Sequence, residues 1–374
     1  MMNLRSKRTS LAVAGLAVLA LSISACGSKA KQDKGGGASG TGTAGGGGST
    51  PAGKPFSACM VLDTGGVDDK SFNQSSYAGM KSANKANPNI TISYVPSNSQ
   101  NDYIPNLTAE VTKGCDATIA VGGLMFDAVK TVAGKNPTKQ FAEVDAGSSA
   151  ANIYGLQFNT AQGAFLGGYL AAAMTKTGKV ATFGGLNIPP VTIYMDGFWE
   201  GVQYFNKQKS KSVKVLGWDE TNQKGGTFAQ SFTNLNAGKQ ISQTFIQQGA
   251  DIIFPVAGGT GLGAGAAAQS AGGKVSVIWV DTDGCESVAT YCKYFLSSVT
   301  KNLSDAVNKY VTGAAGGTFP TGSYIGTLDN DGTGLAPFHD FDSKVPADLK
   351  TELDKIKADI IAGTIKITSP SQPK

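Results

Sequence analysis

The chain has a single histidine, His339, among 374 residues, and that scarcity removes most catalytic readings. A Ser/His/Asp relay needs a histidine beside its nucleophile, and a histidine-rich metal site needs several. His339 instead sits in a tail segment, Pro337-Phe338-His339-Asp340. No Walker A or metalloprotease spacing occurs, so the sequence offers no catalytic residue and no metal ligand set. Lysines are scattered rather than clustered, which argues against a nucleic-acid partner. One dinucleotide-like pattern, Gly259-Thr260-Gly261-Leu262-Gly263-Ala264 with Asp281 downstream, stands alone and is a weak signal without an equivalent catalytic half in the earlier part of the chain. No cofactor is expected.

The apolar run from Leu11 to Ile23 is too short to span a bilayer comfortably and follows a basic start at Arg5, Lys7 and Arg8. It ends in Ile23-Ser24-Ala25-Cys26, a lipobox, so residues 1–25 read as a lipoprotein signal peptide and Cys26 as the acylated anchor, carrying palmitate-type chains. The alternative is an ordinary secretory signal with an incidental cysteine. Cleavage would leave 29 basic residues against 27 acidic. From 27 to 54 the chain is Gly, Ser, Thr, Ala and Lys with almost nothing apolar, so residues 26–54 form the anchor and a flexible leash. Such a coil spans roughly 30 Å. The expected location is the extracytoplasmic face of the cell membrane.

The remainder, from Pro55, is long enough for two lobes. Its four cysteines, Cys59, Cys115, Cys285 and Cys292, permit three pairings in an oxidising location. The favoured one joins Cys59 to Cys115 and Cys285 to Cys292, with free thiols as the alternative. Short apolar runs alternate with longer amphipathic ones, the pattern of βαβ units and parallel sheets. Strands are predicted over 58–62, 90–94, 117–121 and 140–144, and again over 179–183, 213–216, 251–256 and 275–280. Helices are predicted over 73–84, 103–113, 126–133, 165–175, 193–205, 237–248 and 263–271. An amphipathic pattern in 347–374 either packs on a lobe or meets a partner. Two doubly wound halves bind ligands beyond the carboxyl ends of their strands. Those positions are Asp63, Gly122, Asp145, Gly258 and Asp281.

At the first of them runs Asp63-Thr64-Gly65-Gly66-Val67-Asp68-Asp69-Lys70-Ser71-Phe72-Asn73-Gln74. Ser71 and Asn73 are placed to cap the next helix, Asp68 and Asp69 to be solvated, and Phe72 stands at a turn with no obvious core to fill. The run resembles the opening signature of the basic membrane protein family of lipoproteins, PnrA-like nucleoside-binding components of ABC-type importers. The resemblance extends over 121–128, 163–171, 174–180 and 256–263, in the family's order.

The resemblance implies an α/β protein with the type I periplasmic-binding-protein fold: two doubly wound parallel-sheet lobes joined by a three-segment hinge near Gln157, Ser297 and Gly326. Lobe 1 would be 55–157 plus about 298–325, and lobe 2 would be 158–297 plus about 326–374. It also implies ligand-binding roles. Phe72 and Phe232 would sandwich a nucleobase, with Trp218 or Phe228 as alternatives for the second ring. Asp281 and Lys301 would hold the ribose, with Asp283 in reserve. Asp63, Asn73 and Asp145 would reach base or sugar edges, Asp127 would start a helix, and Gly258 would present backbone. The expected protein is a monomeric receptor, not an enzyme, that hands a purine nucleoside to an ABC permease. The alternatives are another small ligand such as a sugar, or a surface adhesion protein on the same scaffold.

Overall fold

A computed structural model describes residues 54–373; Cys26 and the signal segment lie outside the described residues. The first five strands are β1 (Phe56–Leu62), β2 (Ile90–Pro96), β3 (Ala117–Val121), β4 (Gln140–Val144) and β5 (Ile153–Phe158). A second series follows: β6 (Lys179–Gly184), β7 (Lys214–Leu216), β8 (Ile252–Val256), β9 (Ser276–Asp281) and β10 (Phe295–Lys301). The short strands β11 (Ser323–Gly326) and β12 (Thr333–Leu335) come last. They assemble into two six-stranded sheets, ordered β2-β1-β3-β4-β5-β11 and β7-β6-β8-β9-β10-β12. The first is parallel throughout, and in the second only β12 runs against its neighbour. This is the type I periplasmic-binding-protein fold. Both sheets reverse strand order after the first strand laid down, between β1 and β3 and between β6 and β8, which opens a crevice at that edge.

The helices are α1 (Phe72–Ala86), α2 (Tyr103–Lys113), α3 (Phe126–Lys135), α4 (Thr160–Met174), α5 (Pro189–Lys209), α6 (Leu235–Gln247), α7 (Leu262–Ser270), α8 (Gly284–Ser287), α9 (Leu303–Ala315) and α10 (Ala347–Ile361). On the first sheet α1 and α9 cover one face, α2 and α3 the other. On the second, α4, α5 and α10 cover one face and α6 and α7 the other. Sheets covered on both sides need strands apolar on both sides, and β3 and β8 are buried along their whole length. Helix α4 is apolar almost all round because it is covered by the sheet, α5 and α10 together. Its contact with α5 depends on glycine: a Cβ on Gly168 would fall on the Phe198 carbonyl, and one on Gly201 on that of Phe165. Gly168 belongs to the 163–171 motif.

The chain passes between the sheets at 158–160, 301–303 and 326–333. Ser297 lies inside β10, so the second passage comes at Lys301. Helix α5 starts at Pro189, four residues before the predicted Ile193, because prolines suit a first helical turn, where no intrahelical donor is needed. The 347–374 segment packs on the second sheet's side: Leu349, Leu353, Ile356 and Ile360 of α10 join its core. Its tail then runs along α5, where Glu200 accepts from the backbone of Thr368 and Ser369 and Asp196 accepts from the Ser369 hydroxyl at 2.6 Å. Ser371 meets Thr192 at 2.8 Å, and Asn159, in the first passage, donates to Gln372 at 2.9 Å. Disulfides join Cys59 to Cys115 and Cys285 to Cys292. Among the described residues no helix is long and apolar enough to cross a membrane.

Glu143, in β4, is fully buried, and neither carboxylate oxygen meets a donor among the described residues. Burial first, and the charge of Asp127 second, push its pKa from 4.5 up to about 8. The folded chain thus keeps a proton that the unfolded chain releases near 4.5, so this group's contribution to stability is lost as pH rises through that window. Glu143→Gln should gain on the wild type by up to about 1.4 kcal/mol per pH unit between pH 5 and 8 in urea denaturation. A pH-independent difference would show that Glu143 does not titrate with folding.

Candidate ligand-binding site

Residues beyond the carboxyl ends of β1, β3 and β4 and those of β8 and β9 line one cleft with about 560 Å³ of free space, part of it open to solvent. The first sheet contributes Asp63, Gly122 and Asp145, and the second Val256 to Gly258, Val280 and Asp281. Lys301, at the end of β10, completes its floor. Asp145 and Asp281 both take left-handed backbone angles, φ +68° and +66°, at equivalent strand ends. That conformation is costly for a residue with a Cβ, though least so for Asp and Asn. It turns each carboxylate out of its strand toward the gap. Gly122, at φ +123°, stands where any side chain would strike the Asp63 carboxylate.

The lobes meet through polar contacts. Asp281 accepts from the Ser71 hydroxyl of the first lobe at 2.6 Å and from Tyr194 of the second at 2.7 Å. The Thr282 hydroxyl donates to the Lys70 carbonyl at 3.2 Å. The Lys301 ammonium lies 2.5 Å from Asp145, with both side chains buried. It also faces the Phe72 ring at 4.9 Å, Phe158 at 5.3 Å and Tyr194 at 5.9 Å, a geometry in which ring quadrupoles favour a cation.

Phe72, expected at a turn, is the first residue of α1 and lines the cleft; Phe232 lines it from the other lobe, against Gly258. Trp218 and Phe228 do not. Trp218 is buried with its indole N–H on Asp196 at 2.9 Å, and Phe228 packs edge-on against it. Asp283 also stands apart, capping α8 and pairing with His339 at 2.6 Å, and Asp127 lies in the first turn of α3. Asn73 donates to Asp63 at 3.0 Å and keeps its own Oδ1 as a buried acceptor without a partner among the described residues.

Two expectations in the first motif are corrected. Asp69 is buried rather than solvated, because its carboxylate accepts from the backbone N–H groups of Ser71, Asn73 and Gln74 and so caps α1. Ser71 and Asn73, expected as caps, turn their side chains to Asp281 and Asp63 instead. Asp68 is exposed. Tyr194, Ile188, Pro190 and Val191 also line the cleft, none of them singled out from sequence. The pair Pro189-Pro190 was the available signal, since it marks a helix start aimed at the crevice.

Burial dominates the electrostatics. It holds Asp63 well above the ordinary carboxylate range, opposed by the Asn73 hydrogen bond and reinforced by the charges of Asp69 and Asp145. Asp69 rises to about 6 through burial, despite three backbone donors. Asp145 is raised as well, burial outweighing Lys301. Tyr194 is pushed far up by burial and by Asp281, so its hydroxyl stays a donor.

A two-lobed crevice lined by rings, buried carboxylates and one ammonium is the architecture of a solute receptor. Residues 56–370 match the family described as ABC transporter substrate-binding protein PnrA-like, and the chain belongs to that family. Its members are non-catalytic, extracytoplasmic, membrane-associated binding proteins that work with a permease. The chain is 33% identical to the CD4+ T-cell-stimulating antigen of Listeria monocytogenes, over 86% of this chain and 89% of that one. It is 29% identical to the ABC transporter nucleoside-binding protein BmpA of Lactococcus lactis, over 84% and 89% respectively. A solute-binding protein of Aeropyrum pernix superposes with a TM-score of 0.76 at 22% identity, covering 84% of this chain and 94% of that one, a likeness of fold.

Replacing Lys301 with Met would leave Asp145 buried without its partner, at a cost of about 3–5 kcal/mol. Lys301→Met with Asp145→Asn should recover most of that loss in urea denaturation at pH 7. A double variant no more stable than the single one would show that the two residues are not coupled.

Proposed function

We propose that the cleft captures a purine nucleoside and that the protein delivers it to an ABC-type permease. The observation that carries this reading is the pair of rings, Phe72 and Phe232, presented from opposite lobes into one cleft that also holds Asp281 and Lys301. Stacking on an aromatic face is worth roughly 1–3 kcal/mol per base and tolerates different bases. With one ring on each lobe, the base itself favours closure. Asp281 and Lys301 grip the ribose hydroxyls through charged hydrogen bonds, about 1.5–3 kcal/mol each. Asp63 and Asn73 read the base edge, Asp145 orients Lys301, and Gly258 lets the backbone approach. The nucleoside-binding relative from Lactococcus supports this assignment.

The moving bodies are residues 55–157 with the segment between the second and third passages, and the rest of the folded chain. Cys26 carries the lipid anchor, and the Gly-rich segment after it tethers a monomer close to its permease.

Calorimetry on the full-length protein in detergent, with adenosine, guanosine, inosine, cytidine, uridine and ribose, tests the assignment. Purine nucleosides should bind at micromolar Kd or tighter, and Phe72→Ala should weaken them at least about tenfold, or 1.4 kcal/mol. Heat from ribose with none from any nucleoside would move the assignment to sugars.

A further inference from the structure

A second cavity adjoins the cleft, with about 1110 Å³ of free space, part of it open to solvent. It shares Asp145 and Pro190 with the cleft, so the two meet there. Its other walls include Phe126 of α3, Ser148 of the loop between β4 and β5, Gln157 of β5, Ile193 of α5, and Gln372 of the tail. Gln157 and Phe158 lie at the first passage, and Asn159 holds Gln372, so this vestibule is on the hinge side. Phe232 and Gly258 mark the opposite end of the cleft, near the strand-order reversal, whereas Lys301 and Asp145 mark the end that meets the vestibule.

The inference rests on the nucleoside reading above. With the base between Phe72 and Phe232 and the ribose diol on Asp281 and Lys301, the sugar lies toward the hinge. C5′ is then the position from which a substituent leads out past Asp145 and Pro190. The chemistry there is selective. Four carboxylates, Asp63, Asp69, Asp145 and Asp281, line the cleft against one ammonium, and that ammonium is already paired. No lysine or arginine lines the vestibule among the described residues; apart from the shared Asp145 carboxylate its walls are hydroxyl, amide, proline and apolar groups. A phosphate would pass the Asp145 carboxylate with no unpaired lysine or arginine lining either space among the described residues to receive it. An uncharged chain would lie against Phe126, Pro190 and Ile193 while water or Gln157 served any polar atom.

We infer that the receptor accepts purine nucleosides carrying an uncharged C5′ extension, such as a thioether, and rejects the corresponding 5′-phosphates. Ser148 is exposed on the vestibule wall, so Ser148→Trp can narrow it without disturbing the core.

The test is calorimetry on the full-length protein with adenosine, 5′-deoxy-5′-(butylthio)adenosine and AMP. The thioether should bind within about threefold of adenosine and AMP at least about a hundredfold more weakly. Ser148→Trp should weaken the thioether about tenfold or more while adenosine stays within about threefold. Adenosine binding with the thioether a hundredfold weaker, AMP as tight as adenosine, or equal losses for both ligands in Ser148→Trp would each overturn the inference and leave the nucleoside assignment standing. Absence of binding by adenosine itself would remove both together.

Discussion

One buried ammonium organises the junction of the two lobes. Lys301 closes the second sheet's β10, yet its partner Asp145 belongs to the first sheet, so their ion pair crosses the gap just where the chain itself crosses. Taking both charges out of water costs several kcal/mol each, and only close pairing with further favourable contacts offsets that. The rings of Phe72, Phe158 and Tyr194 around the ammonium provide those contacts. The alignment of the lobes is therefore coupled to the charge balance of the cleft: widening the gap at this point would separate the buried pair.

The same economy appears in the backbone. The two sheets repeat one strand order, and at corresponding strand ends each places an aspartate in a left-handed conformation. Such strain persists only where the surroundings over-determine it. Here Lys301 holds one carboxylate, while Ser71 and Tyr194 hold the other. Asp69, capping α1 through three backbone donors, fixes the loop that carries both Ser71 and Phe72.

Much of this was legible in the sequence. Central parallel strands are covered on both faces and therefore read as plain apolar runs, which is why β3 and β4 matched their predicted limits. Strand ends in such sheets face the crevice, so Asp63, Asp145 and Asp281 could be found by position alone. What escaped depends on contacts distant in sequence. Asp69 took over the capping role expected of Ser71 because Asp281, 210 residues from Ser71, draws the hydroxyl away from the helix end. Trp218 and Phe228 could not be told from Phe232 by residue type; a carboxylate on α5, Asp196, decides that the indole faces inward. Tyr194 gave no signal of its own beyond the nearby Pro189-Pro190 pair, since an aromatic inside an amphipathic helix reads as core until its hydroxyl is seen to reach Asp281. The family motifs covered the rest of the crevice but not the helix start at Pro189-Pro190, where a four-residue boundary error hid one wall.

The tail that runs along α5 and ends against Asn159 bears on how the molecule could be engineered. A fluorescent reporter or affinity tag fused after residue 373 would be mounted over the hinge rather than on a remote surface, within reach of any reorientation of the lobes. Such a fusion would act as a sensor of closure or as an obstruction to it, depending on the length of its linker, and a neutral label belongs instead on the outer face of a helix such as α2.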